Sequence, residues 1–218
     1  MCVFDSKHQG GRIDLPIDSG QNPLFNMLAA YAQDDPELGY TQGMNFVAAC
    51  IFLAVQDEYI AYAIFRKLLI SKEQGGCDWR RFYITDMPKL MEMTDAVKHY
   101  LSHNISSLEK HFTTHQVFLE TQLVSPYMAL FSNLVTSPVA FKILDRFIFF
   151  GEEVMTELVC NAFNVRQEQI ISINCPFELQ HYLTRDVYLD TIKEGKFFPE
   201  VESVVKKSGF FRRMINKI

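Results

Sequence analysis

The sequence predicts an all-α fold. Three observations point to it: apolar residues recur at helical spacing through most of the chain, strand-like alternation is scarce, and cap-type residues and prolines stand where helices would begin. Leu24-Met27-Leu28-Tyr31, Phe46-Ala49-Cys50-Leu53 and Ile60-Ile64-Phe65-Leu68 each line one side of a helix. With 218 residues, 48% hydrophobic and 22% charged, the chain can bury a substantial core and has no compositional mark of disorder.

The elements follow in order. Gly10-Gly11, Pro16 and Gly20 interrupt any periodicity, so residues 1–20 are read as an extended segment and 21–218 as the helical domain. A polar turn from Asp34 leads into an apolar helix, Met44 to Val55. Asp57 can cap a helix running to about Ser71, and Gly75-Gly76-Cys77-Asp78 breaks the pattern. Asp86 with Pro88 can start the next helix, and Ser125-Pro126 and Ser137-Pro138 each place a cap-type residue before proline, as at a helix start. The sum is roughly ten short helices, forming one large domain or two closely packed lobes. No linker rich in Pro, Ser or Gly separates the part up to about His99 from the part after Ser125, and there is no internal repeat.

A formal net charge of −5 argues against a surface built to neutralise a phosphate backbone, so nucleic acid is not expected as the partner. The cysteines (Cys2, Cys50, Cys77, Cys160 and Cys175) are odd in number, far apart and never in Cys-x-x-Cys spacing, which suits reduced thiols in a cytosolic compartment. The N-terminus turns charged too early for a secretory signal, and the apolar run from Phe46 to Val55 is too short to span a bilayer. A soluble protein, brought to a membrane only by a partner, is expected.

His99 with His103, and His111 with His115, are each four apart, but neither pair carries His-Glu-x-x-His, so no metal is expected. Gly-x-Ser-x-Gly, Gly-x-x-x-x-Gly-Lys and Gly-x-Gly-x-x-Gly are absent, which leaves a self-contained hydrolase or nucleotide site unsupported. Phe147, Phe149 and Phe150 read as core, as do Phe210-Phe211, although Arg212-Arg213 beside the latter also suits a partner contact.

The turn Asp34-Asp35-Pro36-Glu37-Leu38-Gly39-Tyr40-Thr41-Gln42-Gly43-Met44-Asn45 admits two readings. It can be an ordinary helix connection in which Gly39 ends one helix and Gln42 is solvated. It can also project the Gln42 amide toward a partner, with Gly43 leaving the backbone unobstructed; an amide both donates and accepts, so it can hold a water for attack.

Tyr40-Thr41-Gln42-Gly43 resembles the Tyr-x-Gln-Gly hallmark of the TBC-domain Rab GTPase-activating proteins. Leu28-Ala29-Ala30-Tyr31-Ala32 followed by Asp35-Pro36-Glu37-Leu38-Gly39 resembles the family's helix leading into that motif. Ser125-Pro126-Tyr127 with Leu130-Phe131 is similar to a helix that usually starts Pro-Trp, and Ile143-Leu144-Asp145 with Gly151 to a Trp-Asp and Gly segment. Tyr127 and Leu144 replace the two tryptophans, swaps that keep bulk in a core. The similarity runs, in order, from about residue 20 to 200.

The resemblance implies a multi-helix fold that regulates vesicle trafficking from the cytoplasm or the periphery of endomembranes. Its partner is a Rab-family small GTPase in the GTP state, and Gln42 orients the hydrolytic water. The implied partner-binding residues are Tyr40, Gly43 and Asn45. It implies no cofactor of the chain's own, because GTP and Mg²⁺ belong to the GTPase. It also implies an arginine in an upstream Ile-x-x-Asp-x-x-Arg motif, and here the sequence departs from the family. One alignment puts that arginine at Lys7 or His8, a second at Ser19, and in a third Arg12, the only arginine before Gln42, takes the role from the Gly10-Gly11 loop. The chain starts almost at this motif, so a truncated sequence and a divergent domain are both open. If the arginine is lost, the alternative is a catalytically impaired domain that binds a Rab as effector or scaffold. A third reading is a helical scaffold unrelated to GTPases.

Overall fold

The computed structural model describes residues 23–199. The extended segment expected at 1–20, Arg12 within it, and Phe210-Phe211-Arg212-Arg213 lie outside the described residues. The described elements are α1 (Pro23–Asp34), α2 (Met44–Val55), α3 (Glu58–Leu69), a 3₁₀ turn (Trp79–Phe82), α4 (Pro88–Asn104), α5 (Ser106–Thr114), α6 (Leu119–Met128), α7 (Ser137–Phe150), α8 (Glu153–Val165), α9 (Gln167–Ser172), α10 (Pro176–His181), a π-helical turn (Tyr182–Asp186) and α11 (Val187–Lys193). No strand occurs among the described residues, so the all-α expectation is met.

The helices α1, α2 and α3 pack on one another, and α2 also packs on α7. Around α4 gather α5, α6 and α8, and α7 lies against α8, so both halves of the chain feed one buried cluster from Met27 to Phe197. α2 is apolar nearly all round, the signature of a helix enclosed by others, and Met44, Val47, Ala48 and Ile51 are almost wholly shielded. α3 is amphipathic instead: Ala61, Phe65, Leu68 and Leu69 face inward while Arg66 and Lys67 face water. Asp57 caps it as expected, accepting the Ile60 N–H at 2.9 Å.

Two expected starts differ. Pro88 does occupy the first turn of α4, where its missing N–H costs nothing, but Asp86 makes no cap, because Asp86 and Met87 both turn into positive φ before the helix. Ser125-Pro126 does not open a helix; it lies in the last turns of α6. Proline cannot supply the N–H that the helix ladder needs, and the chain leaves the helix within two residues, with the Phe131 N–H folding back onto the Pro126 carbonyl at 2.7 Å. Ser137-Pro138 does open α7.

The core is aromatic. Trp79 stacks on Phe82 and meets Phe147 edge-on, while Phe131 meets Tyr127, Tyr188 and Phe197. Tyr127 and Leu144 are both buried, so the replacements read for the two tryptophans are core residues. Phe147 joins the core, but Phe149 is 59% exposed, contrary to the expectation that the whole aromatic run is internal. The wholly shielded Tyr188 hydroxyl makes no hydrogen bond to any described residue, and burial pushes its pKa up. Since a buried unpaired polar atom costs about 1–3 kcal/mol, Tyr188→Phe is expected to leave the melting temperature unchanged or raise it by a few degrees; a fall in thermal denaturation would reveal a bridging partner.

Asp145 projects into water on α7. A solvated carboxylate contributes little to folding, so Asp145→Ala is expected to change stability by less than about 0.5 kcal/mol in a denaturant titration. Its charge does reach the buried Cys50, whose thiol pKa is pushed up to about 12, mainly by burial and secondarily by Asp145.

Candidate functional site

The turn between α1 and α2 is built by Asp35. Its backbone carbonyl accepts the N–H groups of Leu38 at 3.2 Å and Gly39 at 2.8 Å, closing the chain on itself after α1. Its carboxylate accepts the Tyr31 hydroxyl at 2.9 Å and the Leu38 N–H at 3.3 Å. From the 3₁₀ turn, Arg80 completes the arrangement: Nε donates to one Asp35 oxygen at 2.6 Å, Nη2 to the other at 3.0 Å, and Nη2 also to Glu37 at 3.1 Å. This two-pronged pairing is the geometry in which a guanidinium binds a carboxylate most strongly.

The hydrogen bonds from Arg80 hold the Asp35 carboxyl below its ordinary range, and Asp35 in turn holds the Arg80 guanidinium above its own. Because the folded carboxyl is depressed, its contribution to stability is present above the unfolded value and is lost as pH falls through the folded one. The turn therefore keeps its ion pair at neutral pH. Tyr31 stays protonated there too, its pKa raised first by burial and then by the hydrogen bond to Asp35.

Beyond Gly39 the chain rises to the surface and drops back at Gly43. Tyr40 is 53% exposed and Gln42 is exposed, whereas Gly43 and Asn45 are buried. The Thr41 N–H reaches the Met44 sulfur at 3.4 Å, the Met44 N–H reaches the Thr41 carbonyl at 3.2 Å, and the Gly43 N–H donates to the Asn45 amide oxygen at 3.3 Å. Gly43 has φ of +106°, and a Cβ there would lie 3.4 Å from the Met128 Cβ and 3.6 Å from the Tyr83 ring. Tyr83 in turn donates to the Met128 carbonyl at 2.7 Å. The turn thus rests on the end of α6 and on Tyr83, and the Gln42 amide stands at the N-terminal end of α2 without a hydrogen bond to any described residue.

Of the residues singled out in the sequence, Tyr40, Gln42, Gly43 and Asn45 fall together in this one turn, the first two outward and the last two beneath. Arg80, Tyr83 and Met128 had no local signal, since Arg80 lies 45 residues from Asp35 and only the fold brings them together. Two surface concavities share no residue with the turn: one, of about 790 Å³, is lined by Phe118, Gln122 and Pro176, and the other by Asp145, Arg146, Ile148, Phe149 and Phe150. The rings of His99 and His103 lie 4.2 Å apart and those of His111 and His115 4.4 Å apart; the His103 Nδ1 is shared with the His99 carbonyl and the His111 Nε2 with the Ile173 carbonyl. No described helix is long and apolar enough to cross a membrane.

Known proteins resemble this chain in sequence and in fold. GTPase-activating protein GYP5 of Eremothecium gossypii is 28% identical over 193 residues, 88% of this chain and 21% of that protein. TBC1 domain family member 2A of Mus musculus is 23% identical over 172 residues, 77% of this chain and 18% of that protein. The human ecotropic viral integration site 5 protein homolog is 23% identical over 163 residues, 75% of this chain and 19% of that protein. The chain thus spans about a fifth of the length of these curated relatives. Among solved structures, the Chlamydomonas flagellar RabGAP TBC domain superposes with a TM-score of 0.65 at 16% identity, covering 90% of this chain and 65% of that one, which shows the same fold. Residues 12–171, well over half of the chain, match the family described as the Rab-GTPase-TBC domain, and the chain belongs to that family.

Proposed function

We propose that this domain stimulates GTP hydrolysis by a Rab-family GTPase in its GTP state, with Gln42 entering the partner's site to orient the attacking water. The observation that carries the reading is the exposed Gln42 amide on a turn whose flanks are fixed on both sides, by Arg80 and Asp35 before it and by Gly43 and Asn45 after it. An amide held this way donates and accepts with little reorganisation, which is what positioning a water requires. Tyr40 offers the adjoining contact surface, while Gly43 and Asn45 shape the turn from beneath. The relatives named as GTPase-activating and TBC1 proteins support the activity and the Rab partner. GTP and Mg²⁺ are the partner's, the domain needs no cofactor of its own, and a membrane-bound Rab would bring it to the surface of an endomembrane from the cytoplasm.

A second reading is favoured by one observation: the only arginine before Gln42 is Arg12, and it lacks the Ile-x-x-Asp context that orients an arginine finger in the family. Such an arginine contributes on the order of 10³–10⁵ in rate, so a domain without it would be a weak activator or a Rab-binding effector. Single-turnover GTP hydrolysis across a panel of Rabs, with direct binding measured in parallel, separates the readings. Acceleration supports activation, GTP-dependent binding without acceleration supports the effector, and no binding to any Rab in either nucleotide state rejects both.

A further inference from the structure

We propose that Arg80 is a positioning residue for hydrolysis: by clamping the Asp35–Gly39 turn it fixes the direction in which the chain presents Gln42. The proposal rests on the activator reading above and adds a residue to it. Among the described residues Gln42 is tied to its surroundings through its neighbours: Thr41 reaches Met44, Gly43 reaches Asn45, and Gly43 also rests on Met128 and Tyr83. On the N-terminal side, local bonds at Asp35 are joined by one long-range ion pair. Asp35 gathers the Tyr31 hydroxyl, the Leu38 N–H and both prongs of Arg80, and the same Arg80 nitrogen that binds Asp35 also reaches Glu37. One guanidinium therefore bridges two residues of a five-residue turn that runs directly into Tyr40.

The platform carrying Arg80 is itself held. Its neighbours Trp79 and Phe82 are wholly buried, and the next residue, Arg81, pairs with Asp78 and Glu92 on the other side of the turn. Arg80 is thus a short, braced connection between the aromatic core and the Gln42 turn, and its side chain is only 27% exposed. Gly39, at φ +64° with nothing within 4 Å of a Cβ, adds no packing of its own; beside the backbone bonds to the Asp35 carbonyl and the packing of Leu38 on the core, the ion pair is what ties this end of the turn to the 3₁₀ platform. A lysine could meet one carboxylate oxygen but could not bridge both and Glu37 as well.

Arg80→Ala and Arg80→Lys are compared with the unaltered protein and with Gln42→Ala, using a Rab that the panel shows to be stimulated. At saturating protein, Arg80→Ala is expected to lower the single-turnover rate by about 10-fold or more while affinity for the GTP-bound Rab stays within about threefold, and Arg80→Lys to restore part of the loss. Because Arg80 acts through Gln42, adding Arg80→Ala to Gln42→Ala should cost nothing further. An unchanged rate, or losses that simply multiply in the double variant, would overturn the proposal. Amide hydrogen exchange on the free protein gives a readout that does not depend on any Rab. Arg80→Ala should speed exchange at Leu38 and Gly39 while leaving α3 and α8 as protected as before. Unchanged exchange at those two amides refutes the clamp even if the domain is an activator. Faster exchange with no Rab stimulated by the unaltered protein keeps the clamp but ends both the activator reading and the hydrolytic role given to Arg80.

Discussion

Gln42→Ala is expected to return a stimulated Rab to its intrinsic hydrolysis rate while leaving the domain folded and its Rab affinity within a few-fold. The side chain is exposed and makes no hydrogen bond to a described residue, so its removal costs the fold nothing that can be identified. In the proposed role, what it removes is an interaction formed in the transition state, where one preorganised hydrogen-bonding group contributes about 10²–10³ in rate. That figure also bounds what Gln42 can supply alone. Arg12→Ala is expected to leave the rate unchanged, because Arg12 lacks the Ile-x-x-Asp context, and the overall stimulation should then stay near the share of Gln42. Strong stimulation that Arg12→Ala abolishes would assign the arginine finger to Arg12. If stimulation is small, placing an arginine at Lys7, His8 or Ser19 tests which upstream alignment restores it. Stimulation that survives Gln42→Ala in full would remove the turn from the mechanism.

Features set by neighbouring residues were legible in the sequence. The start of α2 at Met44 follows from Gly43, whose φ of +106° no helix continues through, and the cap of α3 follows from Asp57 two places after Val55. Proline was ambiguous for a physical reason. At Ser137-Pro138 and at Pro88 it opens a helix because the first-turn N–H needs no partner, but at Pro126 the same residue closes one, and nothing local distinguishes the two ends. The aromatic run of α7 was misjudged at Phe149 because a helix carries successive residues to different faces, so Phe147 and Phe149 cannot both face one core. The Tyr40–Asn45 turn stands out in the sequence as the candidate site but its brace does not: the partners of Asp35 and Gly43 come from the 3₁₀ turn and the end of α6, far along the chain.

Gly43→Ala should do nearly as much damage as removing Gln42, though the glutamine remains. Space is not the obstacle, since the added methyl would meet Met128 and Tyr83 at 3.4–3.6 Å, ordinary contact distances. The backbone is: φ +106° with ψ −33° lies outside the small left-handed basin that residues with a Cβ can enter. Holding alanine there costs about 1–3 kcal/mol, which for a domain of this size lowers the melting temperature by several degrees, or the turn relaxes and surrenders its place on α6. In the relaxed case the Gly43 N–H leaves the Asn45 amide, and Gln42, one residue away, leaves its direction. Gly39→Ala is the control. At φ +64° it lies within the φ range of the left-handed basin with open space around it, so the same methyl should cost only about 1 kcal/mol and spare most of the hydrolysis rate. Melting curves and single-turnover rates on both variants check the contrast; Gly43→Ala with unchanged stability and unchanged stimulation would show that the turn's conformation does not set the position of Gln42.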